Sequence, residues 1–415
     1  MTFFRVTAFA ALLGGVASLG CQSQPLDELD AAAGRGGASE AAAGNLAGAA
    51  DAAGGAAQPD VVRPDALGDG SPGSASLVLV YRPQTKVKLS ATALAWNLAV
   101  EAELWVTLRQ FPSGKPCTMS DNTGCDALTG VAAVVSDATG SASSGVIKQD
   151  GNAWHFMRRP TAIAWGEGVL FSSCGEGYTD NYEDVTVPYA GPVLWSSDPA
   201  IFGVVPLPSQ NGTHVDMLHE TPYCMGLAHE SANIFWAFNG DAGALDRIDF
   251  HTPHAVGGED HSDGEVHRYL TGVLKRVPEV PSHIAYDGAS GLVYVADTGN
   301  SRVLSVNPKP ARAGGAIDVY ETLQSSGEFV GAEVVELIAK GVLEKPSGLA
   351  LSGDVLLVTD NATSKVSMFD TTGQALQTFD TQLATGSLSG VAVGPDGKVY
   401  LTDLLTGSVW RVEPQ

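Results

Sequence analysis

The sequence predicts an all-β protein, a six-bladed β-propeller closed by an N-terminal strand, and three observations predict it. Three stretches near the C-terminus repeat one another: PSHIAYDGASGLVYVADTGNSRVLSVN from Pro281, KPSGLALSGDVLLVTDNATSKVSMFD from Lys345, and LSGVAVGPDGKVYLTDLLTGSVWRVEP from Leu388. Each reads as a short apolar strand, a Gly or Asp turn, a second strand ending in Asp, a polar turn and a third strand. Such a unit cannot bury both of its faces alone, so it must stack on its siblings. Carried backwards, the same template places Ala93, Ala162, Gly226, His283, Gly348 and Gly390 at equivalent inner-strand positions, which makes six units. Finally, the last unit falls one strand short of a four-stranded blade, while SLVLVYR at residues 76–82 is a strand with no repeat of its own. Pairing the two closes the ring without an exposed edge.

The elements follow in chain order. Residues 1–20, MTFFRVTAFAALLGGVASLG, carry one early cation at Arg5, an apolar run of secretory length and then small residues. The ASLGC that follows resembles a bacterial lipoprotein lipobox: Gly20 and Cys21 fit its last two positions, and Ser18 stands where that family has Leu or Val. The resemblance implies a lipidated Cys21, with ordinary secretion as the alternative. Residues 21–74 are dominated by Ala, Gly, Asp and Ser and hold almost no bulky apolar side chain. Burial there cannot offset the entropy of ordering, so the segment reads as a flexible linker. The propeller is expected over residues 75–415. Its irregular intervals place loop insertions in every unit but the last, and GAEVVELIAKGVLEK from Gly331 has helical spacing at Val334, Val335, Ile338 and Leu343. That spacing predicts a short packing helix between blades 4 and 5.

Net charge narrows the partners. With 23 basic against 46 acidic residues the formal charge is −23, which repels nucleic acid and anionic lipid headgroups. Membrane contact is expected only through the N-terminal lipid, and the protein is expected to be a monomer. With Cys21 assigned to the lipobox, an even set remains in Cys117, Cys125, Cys174 and Cys224, as suits an oxidising compartment. Cys117 and Cys125 flank the short loop TMSDNTG. Cys174 ends a second strand and Cys224 opens the next repeat, so a propeller brings both to one face in neighbouring blades. The competing reading makes the thiolates metal ligands alongside His214 and His219.

PSHIAYDGASGLVYVADTGNSRVLSVN resembles an NHL repeat, with its Pro, small residue, apolar strand, turn, apolar strand, Asp, Gly-Asn turn and Arg-Val. The fit is close in blade 4, good in blades 5 and 6, and weaker in blades 1–3, where the strand-end Asp is missing. The resemblance implies a propeller whose relatives serve as protein-binding platforms, as nucleic-acid binders or, in a minority, as metal-dependent lyases and lactonase-like enzymes. A lyase of the peptide-amidating kind sets three His around a zinc at the channel mouth. Here the six ring positions offer one, His283.

Two regions could carry chemistry. The stretch FHTPHAVGGEDHSDGEVHRYL, residues 250–270, is expected to join the third and outer strands of blade 3, and it holds His251, His254, Asp260, His261, Asp263 and His267. Imidazole with carboxylate suits zinc or another transition metal, and the carboxylates alone suit calcium. The spacing matches no closed zinc motif, and the bland alternative is a solvated loop whose Asp and Gly residues set turns. His229 and Glu230 should lie on the same face. On the opposite face, at the channel mouth, stand His283, Asp297, Asn300, Arg302, Asp360 and Asp403 as a candidate ligand face, with backbone-capping carboxylates as the alternative. There is no nucleophile elbow and no phosphate loop, so no catalytic residue is assigned. The sequence therefore points to a secreted propeller, lipid-anchored to the outer membrane or cell surface of a bacterium, that binds a protein, peptide or glycan. A metal-dependent lyase or hydrolase working at the channel mouth is the alternative.

Overall fold

Runs such as LWVTL, FWAF and LVYVA alternate side chains above and below a strand, and each face of each sheet finds a neighbouring sheet to bury it. The computed structural model describes residues 64–65, 67–68, 73–110, 130–141, 143–153, 157–179, 188–204 and 211–415. Cys21, Cys117 and Cys125, the N-terminal apolar segment and most of the linker lie outside the described residues.

Six sheets, antiparallel except for one parallel pairing in blade 3, form the blades of a propeller. Blade 1 is Leu89–Trp96, Leu104–Gln110, Val131–Ser136 and Ser144–Gln149. Blade 2 is Pro160–Trp165, Leu170–Gly175, Val193–Ser196 and His214–Met217. Blade 3 begins with Cys224–Ser231, Ile234–Asn239, Ala244–Asp249 and Glu265–Tyr269. Blade 4 is Ile284–Asp287, Leu292–Asp297, Arg302–Asn307 and Glu333–Ile338. Blade 5 is Pro346–Ser352, Val355–Asp360, Lys365–Asp370 and Ala375–Asp380. In blade 6, Leu388–Val393, Val399–Asp403 and Val409–Pro414 are completed by the N-terminal strand Ala75–Tyr81. That strand runs antiparallel to Val409–Pro414, with Ala75 opposite Pro414 and Val78 opposite Arg411, so the expected clasp is present.

Among the described residues the core is six apolar clusters, one between each pair of successive blades. The strand period is visible in blade 1, where Leu104 and Val106 face blade 6 and Trp105 faces blade 2. There Trp105, Trp165, Phe171, Trp195 and Phe202 make edge-to-face, tilted and stacked contacts at centroid distances of 5.0 to 5.7 Å. Leu67 joins the cluster of blades 5 and 6, and its N–H donates to Gln377 Oε1, so the chain is docked a few residues before the first strand.

Two features depart from the sequence expectation. The segment after Gly331 is not a helix: Glu333–Ile338 is the outer strand of blade 4, pairing with Arg302–Asn307. Its apolar spacing fits a helix, but consecutive β-branched Val334 and Val335 favour a strand, and the blade offers an unpaired edge to receive it. The second concerns the chain between Asn307 and Glu333, which leaves blade 4 altogether. Ser325–Val330 pairs in parallel with the outer strand of blade 3, and Arg312–Ala313 pairs with it in turn, so blade 3 becomes six-stranded.

The Cys174–Cys224 disulfide is formed, with Cα atoms 5.8 Å apart, and both cysteines are buried between blades 2 and 3.

Candidate functional site

The outer strand of blade 2, His214–Met217, does not pair evenly. Asp216 stands opposite Leu194 and His214 opposite Trp195, so Val215 is left over and the strand bulges there. The bulge presents carbonyls to the long loop of blade 3. His254 N donates to Val215 O at 2.9 Å, and Gly257 N to His214 O at 2.8 Å. Between them the loop reverses through Gly257, whose φ of +70° suits glycine, and Gly258, where a Cβ would lie 2.8 Å from His254 Nδ1.

This docking gathers imidazoles from two blades. One ring nitrogen each of His214, His254 and His261 lies within 4.8 Å of the others. His261 also belongs to a second group with His219 and Glu321, the carboxylate coming from the blade 4 excursion. Glu321 Oε1 is 2.8 Å from His219 Nδ1 and 3.2 Å from His261 Nδ1, and its Oε2 accepts the His219 N–H. Burial alone would raise the Glu321 carboxyl, but His219 and the His261 hydrogen bond hold it well below the usual carboxylate range. Tyr189 stacks flat on the His219 ring at 3.7 Å.

Two imidazoles of the first group, His214 and His254, are poor bases. Burial, reinforced by His254, pushes His214 down to about 3, and burial also lowers His254. Asp216 is almost fully buried, with Oδ1 accepting Met217 N–H and Oδ2 without a hydrogen-bond partner. Burial, with Asp263, Glu321 and Asp260 adding to it, raises that carboxyl to about 9.

The six metal-ligand candidates of residues 251–267 therefore separate. His254 and His261 turn inward to meet His214. His251 lies 3.5 Å from Glu265 and 3.7 Å from Asp249 on the outer side, and His267 contacts Ser325 Oγ at 3.1 Å. Asp260 is exposed and accepts from Ser262, and Asp263 accepts from Thr252 N–H. His229 bonds the Ala232 carbonyl, and Glu230 holds Arg247 in a two-pronged pair, so neither is in either group. Glu321 carried no sequence signal, since its partners lie 60 and 102 residues away. The run HVDMLHE, which sets four titratable groups among apolar residues of one strand and its exit, was the readable trace of His214, Asp216, His219 and Glu220.

At the channel mouth the carboxylates are engaged with the backbone. Asp297 accepts from Lys275 N–H, Asn300 and Arg302; Asp360 from the N–H groups of Glu344, Lys345 and Ala362; and Asp403 from Leu405 and Thr406. His283 is buried, reaches past blade 3 to within 3.0 Å of the Thr161 carbonyl of blade 2, and is pushed down to about 4 by burial. Gly226 makes this reach feasible, because a Cβ there would lie 2.2 Å from Ser282 O and 2.9 Å from His283 Cα. Beside it, Arg109 and Glu176 form a buried ion pair joined by Arg159, Arg276 and Glu279.

Also on the channel-mouth face, a cavity of about 310 Å³ opens between Pro188, Glu220, Pro222, Asn239, Asp241 and Arg268 on one side and Ala316, Ile317, Asp318 and Glu328 of the excursion on the other. Arg268 is committed to Asp246 through two hydrogen bonds. Glu220, raised to about 7 chiefly by burial, accepts the Tyr320 and Glu321 N–H groups.

No protein-family model matches the chain, and no curated protein matches its sequence. Solved structures do match. An auxiliary nutrient binding protein from Bacteroides ovatus ATCC 8483 aligns with a TM-score of 0.50 at 10% identity, covering 82% of this chain and 77% of that one. A protein of unknown function from Bacteroides thetaiotaomicron aligns at 0.48 and 10% identity, over 82% and 76%, and a streptogramin B lyase at 0.44 and 10%, over 82% and 98%. The likeness is one of fold. It agrees with the six blades and leaves the histidine clusters and the groove to be read from this chain's own residues.

Proposed function

We propose that the chain is an extracytoplasmic propeller, lipid-anchored through Cys21 and held off the surface by residues 21–74, that binds a peptide, protein or glycan in the groove between blade 3 and the blade 4 excursion. The groove carries the reading. It is a concave site of ligand size, and the fold has spent an insertion on building one of its walls. Its free charges are acidic, Asp241, Asp318 and Glu328, while its one arginine is taken by Asp246. That balance suits a ligand with ammonium or guanidinium groups, or one rich in hydroxyls. The formed disulfide supports an oxidising compartment. The Bacteroides ovatus protein of like fold is named for nutrient binding, which accords with a binding role.

The test is calorimetric titration of the intact chain with cationic peptides and neutral oligosaccharides, alongside an Asp241→Asn, Asp318→Asn double variant. Binding that weakens about tenfold in the variant, as loss of one or two charge-assisted hydrogen bonds would produce, is the expected result. Turnover of an ester or lactone with no ligand bound at the groove would overturn it.

A further inference from the structure

The two histidine groups look alike on a list of residues but differ in their protons. In the second, His219 Nδ1 and His261 Nδ1 both point at Glu321 Oε1, so ring N–H donors meet a carboxylate. In the first, every Nδ1 already has an oxygen acceptor: Asn211 O for His214 at 2.8 Å, Ala255 O for His254 at 2.6 Å, and Glu321 Oε1 for His261 at 3.2 Å. A neutral imidazole carries one N–H, so placing it on Nδ1 leaves each Nε2 with its lone pair.

Among the described residues, Nε2 of His254 and of His261 is buried with no hydrogen-bond partner, and the His261 residue is only 8% exposed. Nε2 of His214 lies 3.2 Å from the Gly258 carbonyl oxygen, which is itself an acceptor. Two acceptors at that distance repel unless a proton or a cation lies near both. A metal ion satisfies all of them at once, and the arrangement is the one metal-binding histidines adopt, with Nδ1–H donated outward to a carbonyl or carboxylate and Nε2 turned to the ion.

We propose that His214, His254 and His261 bind one divalent transition-metal ion of the zinc class, and that the ion fastens the blade 4 excursion to blades 2 and 3 through Glu321. Three neutral nitrogen donors select zinc, cobalt, nickel or copper over calcium and magnesium, which require oxygen. Glu321 acts on the ion through His261, orienting its ring. The same residue is tied by its backbone N–H to Glu220, so one peptide unit links the metal site to the wall of the groove. Metal binding is measured without any groove ligand, so this inference and the ligand-binding reading stand or fall separately.

The experiment uses the intact chain purified without chelator, its metal content measured by elemental analysis, then stripped and titrated with zinc and with cobalt. One equivalent per chain is expected, with the visible absorption of nitrogen-ligated cobalt in a low-coordinate site and a melting temperature raised by zinc but not by calcium. His254→Gln and His261→Gln should weaken zinc binding by about 100-fold or more and Glu321→Gln by about 10- to 100-fold, while His251→Gln leaves it unchanged. Stripped wild-type protein that takes up none of zinc, cobalt, nickel or copper overturns the proposal, and this holds even where a variant fails to fold. So does a folded His254→Gln or His261→Gln protein that binds zinc like the wild type, or loss of binding in His251→Gln.

Discussion

His283 shows how a single side chain couples the packing of three blades to solution conditions. It is the one large residue in a ring otherwise made of Ala93, Ala162, Gly226, Gly348 and Gly390, and the glycine beside it gives its backbone room. Its ring is buried, with Nε2 against the Thr161 carbonyl and no carboxylate among the causes of its shift, so burial disfavours the imidazolium. In the folded protein it stays neutral down to about pH 4, whereas the unfolded chain takes up the proton near its ordinary value of 6.5. Between those values the unfolded state binds more protons, so the stability present in full above pH 6.5 is lost as the pH falls toward 4. A gap of 6.5 − 4 = 2.5 units corresponds to about 3 kcal/mol. Urea unfolding of wild type and His283→Gln at pH 7.5 and pH 4.5 should show wild type losing roughly 2–3 kcal/mol more than the variant over that interval. Equal losses in the two proteins would mean that His283 is not held neutral by burial.

Among the elements, the bridge between blades 2 and 3 is the simplest to test. It closes a 50-residue separation, and its sulfurs sit in the apolar cluster between the blades. Loop-closure entropy for that length gives about 4 kcal/mol, so a Cys174→Ala, Cys224→Ala protein should unfold at markedly lower denaturant, and a loss under about 1 kcal/mol would contradict the entropic account. This pairing was legible in the sequence because the repeat fixes where a second strand ends and where the next unit begins. The six ring positions and the closing strand were legible for the same reason, each being a local pattern repeated along the chain. Helical spacing after Gly331 misled because the deciding partner, Arg302–Asn307, is a neighbouring strand and not a local period. At the histidine site, His254 and His261 could be read from the density of imidazole in one loop. Their separation from His251 and His267 could not, because it depends on the loop docking at the Val215 bulge of another blade. Glu321 arrives on an excursion whose parallel pairing with Glu265–Tyr269 has no local signature at all.

The whole ring rests on a junction between residues more than 300 positions apart. Ala75–Tyr81 supplies the outer strand of blade 6, and its Ala75, Val80 and Tyr81 are buried in the clusters on either side of that blade. Gln415 N–H extends the ladder to Ser74 O at 2.8 Å. A chain beginning at Arg82 would lose this strand, leave the Val409–Pro414 edge without its partner and uncover apolar surface in both clusters. Burial of three such side chains contributes on the order of 5 kcal/mol, which lowers the melting temperature of a domain this large by about 10 °C. The open edge should also pair between molecules, so the shortened protein is expected to elute as dimers and larger species in size-exclusion chromatography. A chain beginning at Pro64 keeps every contact of the described residues, including Leu67 against Gln377, and should melt like the intact protein. If the two truncations melt alike, the strand does not close the ring energetically. If only the shorter one melts early and associates, the stability of all six blades depends on the first strand meeting the last.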